Sequence, residues 1–372
     1  MKKKKLNKKN IIILAIILII IIIEIVNPIK LYNKYLLKQL NYSEQSINVI
    51  LENNLKEEVL DREYSETLDK IFQNKAFKLD YFDVYKDLNY YEIDNYLENV
   101  NALIKKGYKS DEINNILKSS TKESLNSFLE KDYIENISEY LKYDFSILEN
   151  YDRYVKYKSE NNIDNELVVV YVNIGLDKEY YTDYNEIKDF STSMLVNKYN
   201  GLDKDFIPDD LVAINSLYAV DSKQKGNEEM VRQFMKMSDD CDKSIGYKLL
   251  VRSGYRDYKS QESTYNLYLN TYGKKYAESY AAHAGFSEHQ TGLAVDVKAE
   301  SSNTFAGTKE SKWLSENAYK YGFILRYGSD FEEITGYNYE SWHYRYVGIE
   351  IATYIHENEM TFDEYYIRFL NK

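Results

Sequence analysis

Three hydrophobic patterns follow one another along the chain. Residues 11–23 form an uninterrupted apolar run directly after a cluster of lysines. From about residue 31 to residue 165, apolar residues recur three and four positions apart with almost no Gly or Pro, which is typical of amphipathic helices. Beyond residue 165, β-branched runs between turn residues predict strands. This order predicts a membrane segment, an all-α region and an α+β domain.

The apolar run predicts a transmembrane signal-anchor over residues 11–27. Signal peptidase prefers small residues at its cleavage site, and the segment from Glu24 to Lys30 offers none. The lysines should stay inside the cell, so residues 1–10 are predicted to be a cytoplasmic basic tail. The predicted localisation is the cell membrane, with a single pass, the lipid bilayer as partner of this helix and the rest of the chain extracellular.

Residues 28–165 are predicted to form an extracellular helical spacer with repeated units. The segment 37–51 recurs as 103–117, and in both a short polar turn precedes an amphipathic helix. Ser43 and Ser110 are the predicted N-caps. Because such a unit cannot bury its apolar face alone, neighbouring copies should stack into a small array. A ligand-binding module is the alternative to a spacer.

Residues 166–372 are predicted to form the catalytic domain. The β-branched run Glu166–Ile174 predicts its first strand. Further strands are predicted at 249–253 and 293–297, an amphipathic helix at 230–243, and a long Tyr-rich helix after Gln261 to about residue 282. The predicted fold class is therefore α+β, with a small antiparallel sheet flanked by helices.

Charge and cysteine content narrow the possible functions. The chain has 60 acidic and 48 basic side chains and a net charge of −12. Residues 1–30 hold seven lysines and one glutamate, so the remainder has a net charge of −18. The acidic remainder argues against nucleic acid as a partner. The one cysteine, Cys241, cannot form an intrachain disulfide and matches no metal-binding spacing, so it is predicted to be a buried bystander.

Two segments near the C-terminus carry the groups needed for metal-assisted hydrolysis. The first contributes the imidazole of His289 and the carboxylate of Asp296, and the second contributes Glu340 and His343. Two imidazoles and a carboxylate, with a fourth position left to water, form a catalytic zinc site. Asp296 interrupts an apolar strand, where a cation would compensate its burial. Taken singly, His289 in a surface turn and Asp296 at a strand end would be unremarkable.

The combination of motifs resembles a known family. The pattern Ser287-x-His289-x-x-Gly292-x-Ala294-x-Asp296, followed by Glu340-x-Trp342-His343, resembles the zinc D-alanyl-D-alanine carboxypeptidases of the VanY type. These belong to a wider group with VanX, the lysostaphin-like endopeptidases and hedgehog. The resemblance covers about half of the chain and continues through the segments 253–261, 321–327 and 342–348.

The resemblance implies a role for each candidate residue. It implies that one zinc ion per chain is bound by His289, Asp296 and His343. Glu340 would be the general base toward water and later the proton donor to the leaving amine. Arg256 matches the family's active-site arginine, and a guanidinium group could either hold the substrate's terminal carboxylate or stabilise the oxyanion. Ser287 and Gln261 are the remaining candidates for the substrate pocket.

Some positions lie outside the motif or depart from it. His283 is predicted to be a loop histidine and His356 a surface group on a C-terminal helix. Ala284, Ser341 and the segment 328–330 replace prolines that the family usually has, which relaxes the backbone locally. These departures put rate or selectivity in doubt rather than activity.

The resemblance predicts a zinc carboxypeptidase that removes the C-terminal D-alanine from peptidoglycan stem peptides, and the apolar run predicts that it is membrane-anchored. Two alternatives stay open. One is L,D-carboxypeptidase or endopeptidase action on the same polymer. The other is a non-catalytic wall-binding or sensing protein of the same fold, although the intact set of four metal-site residues argues against it.

Overall fold

The computed structural model describes the backbone of residues 8–371, with side chains from residue 11 onward except residues 13 and 16–27. The chain divides after Glu149 into two compact units. Each unit is described by itself below.

The N-terminal unit is built of helices joined by tight turns. Its helices are α1 (Lys8–Gln39), α2 (Glu44–Glu52), α3 (Lys56–Leu60), α4 (Glu66–Gln73), α5 (Phe82–Tyr85), α6 (Tyr96–Lys106), α7 (Ser110–Lys118), α8 (Lys122–Leu129) and α9 (Ser138–Leu141). Short 3₁₀ turns lie at Leu79–Tyr81 and, at the boundary between the units, at Leu148–Asn150.

Hydrogen bonds link helical segments of the N-terminal unit, whose apolar side chains are buried between them. The backbone N–H of Ser43 donates to Asp69 at 2.9 Å, and that of Ile134 donates to the Tyr108 hydroxyl at 2.9 Å. Ser43 caps α2, as predicted, by accepting from the N–H of Ser46. The predicted cap at Ser110 is wrong, because α7 already begins at that residue.

The predicted transmembrane helix over residues 11–27 is not supported. Among the residues that the structure describes, none of the helices is both long enough and apolar enough to cross a bilayer. A span needs about 20 consecutive apolar residues, whereas α1 continues past Pro28 into a segment that carries three lysines. This finding contradicts the predicted N-terminal transmembrane helix and removes the support for a bilayer partner. The basic tail predicted for residues 1–10 lies outside the residues whose side chains are described.

The C-terminal unit combines helices with short strands. Its helices are α10 (Tyr151–Glu160), α11 (Asn165–Ile174), α12 (Glu228–Ile245), α13 (Tyr258–Tyr272), α14 (Lys274–Tyr280), α15 (Lys309–Asn317), α16 (Glu332–Thr335), α17 (Ile349–Glu357) and α18 (Phe362–Tyr365). Its strands are β1 (Asn185–Glu186), β2 (Asn200–Gly201), β3 (Leu211–Ala213), β4 (Lys225–Asn227), β5 (Leu249–Ser253), β6 (Ala294–Ala299), β7 (Phe323–Leu325) and β8 (His343–Tyr346). Helical turns at Glu288–Thr291, Ala318–Tyr321 and Tyr366–Leu370 complete it.

A four-stranded antiparallel sheet lies at the centre of this unit. Its strand order is β5-β6-β8-β7, and every neighbouring pair is antiparallel. One face of the sheet and the apolar side of α12 form a common core, which includes Val295, Tyr344, Phe234 and the buried, unpaired Cys241. The predicted small antiparallel sheet flanked by helices is confirmed.

The other face of the sheet carries the polar side chains. Successive side chains of a strand point to opposite faces. Val295 and Val297 of β6 pack into the core, so Asp296 projects from the opposite face. By the same alternation, Tyr344 and Tyr346 enter the core while His343 and Arg345 share the face of Asp296. The strand pattern thus directs two predicted metal ligands to one side of the sheet.

The predicted strand at Glu166–Ile174 is wrong, because this segment is helix α11. Its valines are buried almost all round the helix, and burial against the rest of the unit outweighs the β preference of valine. The start of the helix is marked by Asp164, whose carboxylate accepts from the N–H of Leu167 at 3.0 Å. That Asx N-cap was the sequence signal for a helix.

We expect Asp164→Ala to lower the free energy of unfolding of the C-terminal unit by about 1 kcal/mol, because the replacement removes an N-cap acceptor. Asp164→Asn keeps an acceptor and is the matched control. Both tryptophans of the chain, Trp313 and Trp342, lie in this unit. Tryptophan fluorescence during urea denaturation therefore reports on it alone. Equal stabilities of the two variants would contradict the capping role.

Candidate active site

Two neighbouring strands bring two of the predicted ligands together. Asp296 of β6 lies directly opposite His343 of β8 in the strand register. On the other side of β6, Ser253 at the end of β5 pairs with Asp296 after a bulge in the ladder. The chain leaving β5 then carries Arg256 toward the same place. Residues far apart in the sequence therefore meet because their strands are adjacent.

The third predicted ligand comes from the 3₁₀ turn before β6. This turn ends at Gly292, which has φ of 70°, and a Cβ there would lie 2.7 Å from the Leu211 side chain and 3.2 Å from the backbone nitrogen of Asn227. The left-handed conformation suits glycine and turns the chain sharply into the strand. As a result, Nε2 of His289 lies 3.4 Å from Oδ1 of Asp296.

The three predicted ligands converge on one point. His343 Nδ1 lies 3.2 Å from the same Asp296 oxygen, and the three possible ligand atoms all lie within 4.8 Å of one another. The side chains of His289 and His343 are nearly buried, at 5% and 6% exposure, while Asp296 remains 17% exposed. The geometry and the donor types, two imidazole nitrogens and a carboxylate oxygen, fit a divalent metal ion.

Each imidazole is oriented by a partner on its far side. His289 Nδ1 lies 2.8 Å from the carbonyl oxygen of Gly254, and this N–H donates to that carbonyl. His343 Nε2 lies 3.3 Å from Oε2 of Glu288. Such partners fix the tautomer and leave the other nitrogen with a lone pair for a metal. His289 thus offers Nε2, and His343 offers Nδ1.

Sequence reasoning missed Glu288, which is completely buried behind the site. Its Oε1 accepts from Arg326 Nε at 2.8 Å and from Arg345 Nη1 at 3.1 Å, and Arg326 also pairs with Asp363 at 2.6 Å. Burial opposes ionisation of Glu288, but the two guanidinium groups keep its pKa below the ordinary value. The available signal was Arg326 directly after the apolar strand β7 and Arg345 among the aromatic residues of β8, since a buried arginine requires an acidic partner.

The two histidines differ in their electrostatic environment. Burial and the nearby Arg256 lower the pKa of His289. Burial also disfavours protonation of His343, but the hydrogen bonds that it donates to Asp296 and Glu288 outweigh burial and raise its pKa to about 9. Asp296 has a pKa well below its usual value despite burial, because the imidazoles face it. The two carboxylates beside His343 thus favour its protonated form, and a metal ion at Nδ1 would compete with that proton.

Glu340 lies beside the three converging side chains without joining them. Its Oε2 is 3.9 Å from His343 Nδ1, and the side chain is 8% exposed. Burial, reinforced by the negative charge of Asp296, raises the pKa of Glu340 to about 8. A carboxyl group with a pKa near neutrality can both accept and return a proton.

Arg256 is held rigidly at the edge of the cleft. Its Nη1 donates to Gln261 at 2.7 Å, its Nη2 donates to Ser253 at 2.9 Å, and Nη2 also lies 3.6 Å from Asp296. Gln261 is itself anchored by donating to the Ala282 carbonyl at 2.7 Å. Gln261 therefore positions the arginine as well as lining the cleft.

The cleft contains all seven predicted site residues. Its lining also includes two buried tyrosines, Tyr327 and Tyr337, which were not predicted. His283 lies outside this lining, where it stacks on Tyr181 at 3.8 Å, and His356 is exposed and stacks on Tyr319 at 3.9 Å.

Comparisons with known proteins identify the class of this fold and site. A family model described as "VanY: D-alanyl-D-alanine carboxypeptidase" matches residues 223–349. YodJ of Bacillus subtilis (strain 168) is 35% identical over 206 residues, which are 52% of this chain and 76% of YodJ. The bifunctional D-Ala-D-Ala dipeptidase and D-Ala-D-Ala carboxypeptidase VanXYC of Enterococcus gallinarum is 34% identical over 189 residues, 47% of this chain and 94% of that protein.

Two further similarities involve D,D-specific relatives, a curated sequence and a solved structure. The D-alanyl-D-alanine carboxypeptidase of Enterococcus faecium is 38% identical over 152 residues, and the chain covers 47% of its length. A vancomycin-resistance D,D-pentapeptidase VanY from the VanB-type cassette, solved in complex with Zn(II), shares 32% identity over 48% of this chain and 99% of that one, with a TM-score of 0.42. The chain belongs to the VanY family of carboxypeptidases, and the resemblance seen in the sequence is confirmed.

We expect Glu288→Gln to weaken metal binding by about 10- to 100-fold, because the carboxylate orients His343 from behind. Glu310 is an equally buried carboxylate that bonds Ser301. Glu310→Gln is therefore the matched control and should keep the wild-type affinity. Competition with a chromogenic chelator measures the affinity, and circular dichroism of the metal-free variants shows whether both are folded. Wild-type affinity in folded Glu288→Gln would disprove the orienting role.

Proposed function

We propose that this protein is a zinc-dependent carboxypeptidase that removes the C-terminal D-alanine from peptidoglycan stem peptides, working outside the cell where that polymer lies. The observation that carries the proposal is the convergence of His289, Asp296 and His343 on one point beside Glu340. Membership of the VanY family and the D-Ala-D-Ala activities named for its relatives support the choice of substrate.

Zinc is the metal we propose for the site. Two imidazole nitrogens and one carboxylate, with room for a further ligand, match the composition of catalytic zinc sites. When bound there, the ion would polarise the scissile carbonyl and lower the pKa of water. The side chains that would hold it are His289 through Nε2, His343 through Nδ1 and Asp296 through a carboxylate oxygen.

Glu340 is proposed to move the proton during hydrolysis. As a carboxylate it would accept a proton from the attacking water, and as a carboxylic acid it would return that proton to the nitrogen of the departing D-alanine. Its near-complete burial and its pKa of about 8 suit both directions of transfer. Its position beside His343 keeps it close to the reacting atoms without taking up a metal-ligand position.

Arg256 is proposed to recognise the free C-terminal carboxylate of the substrate. It is a fixed cation in the cleft, next to the ligand Asp296. A guanidinium can donate two parallel hydrogen bonds to a carboxylate, which distinguishes a chain end from an internal peptide bond. The alternative role, stabilisation of the oxyanion, predicts no such distinction.

Replacement of the proposed ligands and of the base should separate metal binding from turnover. His289→Ala and His343→Ala should lose the metal, whereas Glu340→Gln should keep it and lower kcat by about 100- to 10,000-fold, because only proton transfer is removed. Metal content by mass spectrometry and D-alanine release from a pentapeptide stem are the measurements. His356→Ala, at an exposed position outside the cleft, is the control for histidine loss. Full activity of Glu340→Gln would refute its assignment as general base.

Replacement of Arg256 should reveal which end of the substrate it recognises. Arg256→Lys loses bidentate hydrogen bonding to a charged group, so kcat/KM on a free-acid pentapeptide should fall by about 10- to 100-fold. The wild type should barely cleave the same peptide with an amidated C-terminus.

The paired free-acid and amidated peptides also decide between the alternatives. Equal wild-type rates on both would reject the carboxypeptidase function in favour of an endopeptidase. Mass spectrometry of the products from tetra- and pentapeptide stems shows whether an L,D or a D,D bond is cut.

A further inference from the structure

Four tyrosines on α13 and α14 form a continuous row of rings. Tyr268, Tyr272, Tyr276 and Tyr280 are spaced four residues apart, and the hairpin between the two helices turns at Gly273, where φ is 84°. Successive ring centroids are 6.0, 4.6 and 4.6 Å apart, and the rings of Tyr268 and Tyr276 stack at 6.1 Å. We call this row the tyrosine ladder.

The two outer tyrosines of the ladder lie in the active-site cleft, and the two middle ones are exposed to solvent. Tyr268 and Tyr280 line the cleft together with Arg256, Glu340 and the metal ligands. Tyr272 and Tyr276 are 60% and 41% exposed. Exposed aromatic surface that continues out of a catalytic cleft is typical of a binding surface for the rest of a substrate.

The four tyrosines of the ladder contribute little to the packing of the hairpin. Gln261 is the one fully buried residue of α13 and Ala277 that of α14, so the hairpin is not held by its tyrosines entering a core. Tyr265, which joins the two helices, donates its hydroxyl to Glu278 at 2.7 Å. Among the described residues, no protein partner bonds the hydroxyls of the four ladder tyrosines. Rings and hydroxyls are both available to a ligand.

Helix α13 shows which part of a substrate would reach the ladder. Gln261 holds Arg256, the proposed site for the terminal carboxylate, at the start of this helix. At ~1.5 Å per residue, Tyr268 lies about 10 Å and Tyr272 about 16 Å further along the helix. An extended peptide advances ~3.3–3.6 Å per residue. The cleft lining follows α13 from Gln261 to Tyr268. An extended substrate that followed this helix from Arg256 would reach Tyr272 after about five residues, which is the full length of a pentapeptide stem.

The group at that end of a stem peptide is the sugar ring to which it is attached. A pyranose ring has an apolar C–H face that packs on an aromatic ring, and polar substituents at its edge that bond hydroxyls. Tyrosine offers both an apolar ring and a polar end, at a low cost in side-chain entropy. We propose that the tyrosine ladder binds this sugar, so that the preferred substrate is a stem peptide still attached to its glycan.

This inference rests on the proposed function, and it is tested by comparing two substrates. One is the free pentapeptide stem and the other is the same stem attached to its disaccharide. The wild-type enzyme should have the lower KM on the disaccharide substrate. Tyr272→Ala combined with Tyr276→Ala should lower kcat/KM on that substrate about tenfold, equivalent to ~1.4 kcal/mol, mainly through KM. On the free stem the double variant should differ from wild type by less than about twofold.

Two further variants show whether the ring faces make the contact. Replacing both residues by phenylalanine keeps the rings and should retain most of the preference for the disaccharide substrate. Tyr354→Ala is the matched control, because Tyr354 is 39% exposed and also packs within an aromatic cluster, 5.4 Å from Tyr365, but lies outside the cleft. It should leave both substrates unaffected.

The possible results separate this inference from the proposed function. Equal losses on the two substrates would mean that the ladder is only structural, and an unchanged double variant would mean that it is not used. Either result overturns the inference and leaves the carboxypeptidase function intact. If the wild type cleaves neither substrate, the proposed function fails. In that case calorimetric titration with the same two molecules decides the inference, and equal wild-type dissociation constants would overturn it.

Discussion

The active site depends on one buried carboxylate. Glu288 is fully enclosed, and its two oxygens are shared among Arg326, Arg345 and the far nitrogen of His343. Taking so many charges out of water is costly, and the cost is offset only while every partner is present. The arrangement is therefore intolerant of small movements. That intolerance is useful, because it holds the imidazole of His343 in one tautomer and one orientation.

The order of the strands in the sheet places the other active-site residues around His343. His343 and Asp296 face each other because β6 and β8 are neighbours in register, and the alternation of side chains along each strand keeps the opposite face for the core. Arg256 enters from the end of β5, and His289 enters from the turn that precedes β6. The sheet thus positions the proposed metal ligands, while the hairpin of α13 and α14 buries few residues beside it. The proposed catalytic residues lie on or beside the sheet. The tyrosines proposed to bind the distant part of the substrate lie on the hairpin.

The errors of prediction have physical causes that can be traced to particular segments. The valines of α11 favour a strand in isolation, but burial of nearly every side of the segment favours a helix capped by Asp164. The Tyr-rich helix after Gln261 was expected to be continuous, yet it divides at Gly273, whose left-handed backbone ends one helix and begins the next. The prediction of a membrane span at the N-terminus was based only on the length and hydrophobicity of the apolar run itself.

The sequence by itself determined the family, the α+β class of the C-terminal unit, and the seven residues that the cleft brings together, because those residues sit in short motifs with fixed spacing. Only the tertiary structure revealed that Glu288 and its arginines support His343 and that Gln261 anchors Arg256. It also revealed that the tyrosine ladder lies beside the cleft. The reason is physical. A motif records which groups lie on one stretch of chain, whereas these contacts join strands, turns and helices whose proximity is decided by sheet order and by what the core buries.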